Sequence, residues 1–226
     1  MALEVAKIKA VIFDIDGTLS DSDDQMVERV ERLIKPFSFF MRDASRKSAA
    51  RWLVMAIESP GNFVYNMADC FDLDSLFIRT LEKQSRRRKH KIRSYRIILG
   101  ITEMLEKING RYSLAVASAR DEKTSMAFLE QFGLAQCFQV IVTSQSTRHT
   151  KPFPDPLIYA AEKMGVPPVN CLMVGDTTVD IRAAKLAGMQ AVGVLCGFGH
   201  ERELRRAGAD LILNSTVDLT SELNPY

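Results

Sequence analysis

Two carboxylates spaced two apart, Asp14 and Asp16, end the apolar run Ala10-Val-Ile-Phe13 and lead into Gly17 and Thr18. Residues two apart on a strand point to the same side, so both acids would meet in one crevice if each lay at the strand's carboxyl end. Like charges at that spacing repel. A divalent cation, which oxygen ligands suit, or a shared proton would hold them together. A plain turn is the competing explanation, since Asp and Gly commonly close strands.

Two more apolar runs end the same way. Ser113-Leu-Ala-Val-Ala117 runs into Ser118, and Cys171-Leu-Met-Val174 runs into Gly175, Asp176 and, one helical turn on, Asp180. Three strand ends delivering Asp14, Asp16, Ser118 and Asp176 to one edge favour a site over a turn.

The elements needed to position these residues are legible in the periodicity. Helices are predicted over 100–109, 122–132, 155–165, 179–187 and 200–207, alternating with strands over 112–118, 138–143, 170–175, 190–195 and 210–213. Such alternation predicts an α/β fold, a Rossmann-like parallel sheet with helices on both faces. Gly188 and Gly208 stand where helices should stop, and Pro154 and Pro156 near where one should start.

Residues 23–92 break this rhythm and read as helical throughout. Met26, Val27, Val30, Leu33, Ile34 and Phe37 recur at helical spacing behind Asp23 and Asp24. An inserted all-helical unit over 21–92 is therefore expected, with residues 1–20 and 93–226 forming the core domain. Its aromatics, among them Trp52 and Phe63, are read mainly as the core of a small bundle, with Phe39 and Phe40 the candidates for a cleft mouth.

In order along the chain, Asp14 to Ser22, Ser118, Lys151-Pro152, and Gly175-Asp176 through Asp180 resemble the four motifs of the haloacid dehalogenase superfamily. Within it the chain is similar to the phosphatases that look like phosphoglycolate phosphatase. The stretch from Lys151 to Gly193 is especially close to that pattern. One position departs: where the family often has Asn or Gly after the serine of its second motif, this chain has Ala119 and then Arg120.

The resemblance implies a Mg²⁺-dependent phosphatase acting on a small phosphorylated metabolite, phosphoglycolate-like or a sugar phosphate, through an aspartyl-phosphate. Asp14 would be the nucleophile and a metal ligand. Asp16 would be the general acid and base, its main-chain carbonyl also binding metal. Asp176 matches the third ligand, and Asp180 a supporting carboxylate that serves metal-bound water or holds the lysine. Thr18, Ser118 and Lys151 would bind the phosphoryl group. The inserted helices correspond to the family's cap. Asp16 also separates the chain from the superfamily's dehalogenases, which lack an aspartate there.

With 46% apolar and 26% charged residues, 226 residues suffice for one core and an inserted unit. No run of about 18 apolar residues occurs, so neither a membrane span nor a membrane partner is expected and a cytoplasmic location is the default. Cys70, Cys137, Cys171 and Cys196 lack metal or redox spacing and are expected to be reduced. The formal charge of +2 hides a segment of +8 from Arg79 to Arg96, leaving −6 on the remainder. Its densest run, Arg86 to Lys91, is read as a solvated helix end rather than a polyanion site, and no nucleic-acid partner is expected. Two alternatives stay open: a sugar-phosphate mutase built on the same core, and a non-catalytic protein binding a phosphorylated ligand or RNA.

Overall fold

The computed structural model describes residues 3–21 and 95–223. The expectations for residues 22–94, including most of the inserted unit, the Arg86 to Lys91 run and Cys70, lie outside the described residues.

Six parallel strands form one sheet: β1 (Ala10–Phe13), β2 (Ser113–Ala117), β3 (Val140–Val142), β4 (Cys171–Gly175), β5 (Gln190–Val194) and β6 (Leu211–Leu213). Their order is β3-β2-β1-β4-β5-β6. The chain winds outward to one side of β1 and then to the other, so the order reverses between β1 and β4. At such a switch point adjacent loops diverge and leave a crevice beyond the strands' carboxyl ends.

The helices among the described residues are α1 (Ile101–Ile108), α2 (Glu122–Gln131), α3 (Asp155–Met164), α4 (Thr178–Leu186), α5 (Glu201–Ala207) and α6 (Leu219–Leu223). Every predicted helix and strand after residue 100 is present, with no end moved by more than two residues. Short 3-10 turns, such as Val5–Lys7, and the brief α6 had no periodic signal to announce them.

Alternating side chains sort into two cores. Val11, Phe13, Leu114, Val116, Leu172 and Val174 face one side of the sheet and pack with Leu105, Ile108, Phe128 and Leu219 from α1, α2 and α6. The opposite face is smaller: Ala10, Ile12, Ala115, Ala117 and Ala191 meet Leu157, Ala160, Ala161, Ala183 and Ala184 from α3 and α4. Small side chains on both partners let those helices lie close to the sheet. Burial on both faces explains why the strands read as continuous apolar runs.

Local signals set the helix ends. The Asp121 side chain accepts the Thr124 amide at 3.0 Å, starting α2. Gly165 and Gly208 stop α3 and α5 in the left-handed conformation. Cys137, Cys171 and Cys196 are free thiols. None of the described helices is long and apolar enough to cross a membrane.

Leu105 is fully buried between α1 and the sheet. Leu105→Ala should lower stability by about 2–5 kcal/mol, read from the denaturant midpoint at unchanged slope.

Candidate active site

Register brings the site together. Phe13 pairs with Val116 on one side and Val174 on the other, so the chain leaves β1, β2 and β4 at nearly the same level. Asp14 follows β1 directly, and its amide still donates to the Val174 carbonyl at 3.0 Å. Ser118 and Asp176 follow β2 and β4. Asp14 and Asp176 thus flank the switch point.

Side-chain oxygens of Asp14, Asp176 and Asp180 lie within 4.8 Å of one another, and all three residues are buried. The Lys151 ammonium, itself buried, donates to Asp14 Oδ1 at 2.7 Å and to Asp180 Oδ1 at 2.5 Å. It reaches them from the loop before α3, where the Lys151–Pro152 peptide is cis. Burial opposes a charged lysine, but the neighbouring Asp14 and Asp180 charges outweigh it and raise the Lys151 pKa. Lys151 is therefore a fixed cation.

That cation does not satisfy the cluster. Desolvation raises the Asp14 carboxyl to about 7 despite the opposing charge of Lys151, and the charges of Asp180 and Asp16 push the same way. More positive charge would stabilise ionised Asp14. The donors are hard carboxylate oxygens without His or Cys among them, a set that fits Mg²⁺.

Asp176 is held on several sides. The Phe198 amide donates to its Oδ2 at 2.9 Å, and Thr18 Oγ1 lies 3.5 Å from its Oδ1. Gly17, Gly197 and Gly199 pack so closely that a Cβ on any of them would collide with Asp176. Asp180 Oδ2 accepts the Thr177 amide at 3.1 Å and the Thr177 hydroxyl at 2.6 Å, so this carboxylate in the first turn of α4 caps the helix with one oxygen and meets Lys151 with the other.

Asp16 behaves differently from the strand-based expectation. β1 ends at Phe13, and Asp16 sits beyond it in the turn, bridged to Ser20. The two-residue rule of a strand does not extend there. Its carboxylate receives Arg120 Nε at 2.6 Å and pairs with Arg120 Nη2, while the cluster of three is completed by Asp180. Ser118 is buried at the β2 exit, its Oγ accepting the Arg120 amide at 3.2 Å. Thr18 is buried too, its carbonyl accepting the Thr216 hydroxyl at 2.6 Å.

Sequence reasoning noted Arg120 only as a departure and gave it no role. The Phe198 amide was not found either, because a main-chain donor leaves no side-chain signature. His149, a loop histidine without an assigned role, pairs with Asp155 at 2.9 Å and lies against the Phe153 ring.

Buried carboxylates converging from two strand ends beside a fixed positive charge can hold a cation and offer an oxygen nucleophile. The model of the family described as "Haloacid dehalogenase-like hydrolase" matches residues 11–194. The chain belongs to this family. Among individual haloacid dehalogenase-like proteins it is similar to the phosphoglycolate phosphatase of Neisseria meningitidis, at 29% identity over 236 residues covering 100% of this chain and 97% of that one. A haloacid dehalogenase-like hydrolase from Streptococcus pneumoniae shares the fold, with TM-score 0.69 at 21% identity, covering 97% of this chain and 100% of that one. So does a Thermotoga maritima protein assigned as a β-phosphoglucomutase, with TM-score 0.67 at 22% identity, covering 96% and 99%.

Removing Lys151 should expose the repulsion it offsets. Lys151→Met is expected to cost about 3–5 kcal/mol where Asp14 and Asp180 are ionised. As pH falls through Asp14's value of about 7 that carboxyl takes up a proton and the loss should shrink. Urea unfolding on either side of that pH measures this, and an equal loss at both would contradict the charge account.

Proposed function

We propose that the protein is a Mg²⁺-dependent phosphatase that hydrolyses a small phosphorylated metabolite, phosphoglycolate-like, through an aspartyl-phosphate on Asp14. The observation that carries this reading is the buried convergence of Asp14, Asp176, Asp180 and Lys151 at the sheet's switch point. Membership of a hydrolase family and likeness over its whole length to a phosphoglycolate phosphatase support it.

Asp14, Asp176 and the Asp16 main-chain carbonyl would hold the metal. Bound there, Mg²⁺ would offset charge between the anionic nucleophile and the ester and orient the phosphoryl group. Lys151 and Ser118 bind phosphoryl oxygens, the lysine also stabilising ionised Asp14, and Thr18 lines the turn beside them. An Asp14 carboxylate oxygen attacks phosphorus while the ester P–O bond breaks, and the departing alkoxide takes a proton from Asp16. Water then attacks the aspartyl-phosphate at phosphorus, passing a proton to the Asp16 carboxylate. Inorganic phosphate leaves and the Asp14 carboxylate is restored. Asp180 holds Lys151 in place throughout.

Residues 21–92 would serve as the helical cap, with 1–20 and 93–226 as the core. The separation of the chain into residues 1–23 with 95–226 and residues 24–94 supports that division.

With 2-phosphoglycolate and Mg²⁺, the wild-type chain should release inorganic phosphate, and Asp14→Asn should abolish it while leaving the fold intact by circular dichroism. An isomerised ester in place of free phosphate would favour a mutase. Because burial raises the Asp14 carboxyl to about 7, protons compete with the cation there. Mg²⁺ affinity should therefore increase as pH rises through that value, with proton release at lower pH. Calorimetry in buffers of different ionisation enthalpy measures this, and binding without proton exchange would contradict it.

A further inference from the structure

Arg120 stands apart from ordinary surface arginines. It follows Ser118 by two residues in the loop leaving β2, and it reaches across to the loop leaving β1. Two of its nitrogens, Nε and Nη2, meet the two Asp16 oxygens separately, a fork-on-fork arrangement that fixes the carboxylate's plane as well as its position. The contact joins residues 104 positions apart.

The guanidinium is itself held. Its carbon lies 5.4 Å from the Tyr95 ring centre and 5.5 Å from that of Phe128, and those two rings meet edge to face at 5.9 Å. Phe128 is fully buried in the core, so one wall of this slot is anchored to the sheet. The Arg120 side chain is only 14% exposed, against 42% for Asp16. Rigidity thus runs from the core through Phe128 and Arg120 to the Asp16 carboxylate.

The third nitrogen, Nη1, is buried and has no hydrogen-bond partner among the described residues. An arginine retained to satisfy buried polar groups would be poorly placed here, since it leaves one of its own unsatisfied. The side chain's position is accounted for by the Asp16 contact and the ring walls. A lysine would offer one point of contact and no planar fork.

Building on the phosphatase reading, we propose that Arg120 is a positioning residue that holds the Asp16 carboxylate in the orientation needed to hand a proton to the leaving alcohol. Its side-chain hydrogen bonds run to Asp16 and not to Asp14. Its effect should therefore fall chiefly on the steps in which Asp16 moves a proton. Expulsion of an alkoxide depends on that proton strongly, whereas a nitrophenolate leaves without help.

The test compares 2-phosphoglycolate with 4-nitrophenyl phosphate in single-turnover experiments with Mg²⁺, following release of the alcohol or phenol. Arg120→Met keeps a long side chain between Tyr95 and Phe128 but removes the fork. It should slow alcohol release about 10- to 100-fold, the scale expected for misplacing a reacting group by about 1 Å. Phenol release should fall by no more than a small fraction of that. Placed on Asp16→Asn, Arg120→Met should cause no further loss of alcohol release.

Arg120→Lys, which retains the charge, should fall between wild type and Arg120→Met, and it serves alone if the Met variant does not fold. Equal slowing of both esters, faster alcohol release, or an additive loss on Asp16→Asn would overturn the assignment. A wild-type chain that hydrolyses neither ester would instead overturn the phosphatase reading, and this inference with it.

Discussion

Mutual repulsion among buried carboxylates is the constraint around which the described core is organised. Removing ionised groups from water is costly, and bringing Asp14, Asp176 and Asp180 within a few ångströms compounds the cost. Lys151 offsets part of it by contacting two of the three. The elevated Asp14 carboxyl shows that the offset is incomplete in the protein by itself. A site left electrostatically unfinished by its own side chains is suited to a cation and an anionic ester that complete it on binding.

Holding that arrangement requires backbone as much as charge. Gly17, Gly197 and Gly199 crowd Asp176, and Gly175 crowds Asp180, so closely that no side chain fits at any of the four. Gly17 additionally has φ of 69°, which L-residues adopt reluctantly. The turn after β1 can consequently fold back beneath Asp176 and carry Asp16 and Thr18 with it. The apolar sheet below fixes the level at which each loop departs, and the small residues on its second face let α3 and α4 approach, the helices that follow Lys151 and contain Asp180. Core packing and site geometry are therefore one problem.

Much of this was legible in the sequence because the signals were local. Strands buried on both faces appear as apolar runs, and the polar residue ending each run marks its carboxyl end, which located Asp14, Ser118 and Asp176. Helices after residue 100 followed from periodicity and from glycine stops at Gly188 and Gly208. Lys151, a lone lysine before proline, carried no structural signal and was found only through its order among the motifs.

What escaped was contact between distant segments. Arg120 gains its meaning from Asp16 and from the Tyr95 and Phe128 rings, none adjacent to it in sequence. The Phe198 amide acts through the main chain, where residue identity is silent. Asp16 was expected to share a face with Asp14 because strand geometry was extended past Phe13, where the strand has already ended. In each case the deciding quantity was the path of a loop, which local propensity does not determine.

Closure of the switch-point carboxylates around a cation can be seen in a crystal structure grown with Mg²⁺ and a fluoroaluminate mimic of the transferring phosphoryl group. The expected result is Mg²⁺ at about 2.0–2.1 Å from oxygens of Asp14 and Asp176, with the mimic in line with the second Asp14 oxygen and touching Lys151 and Ser118. Metal bound away from Asp14 and Asp176, with the mimic on other residues, would contradict it.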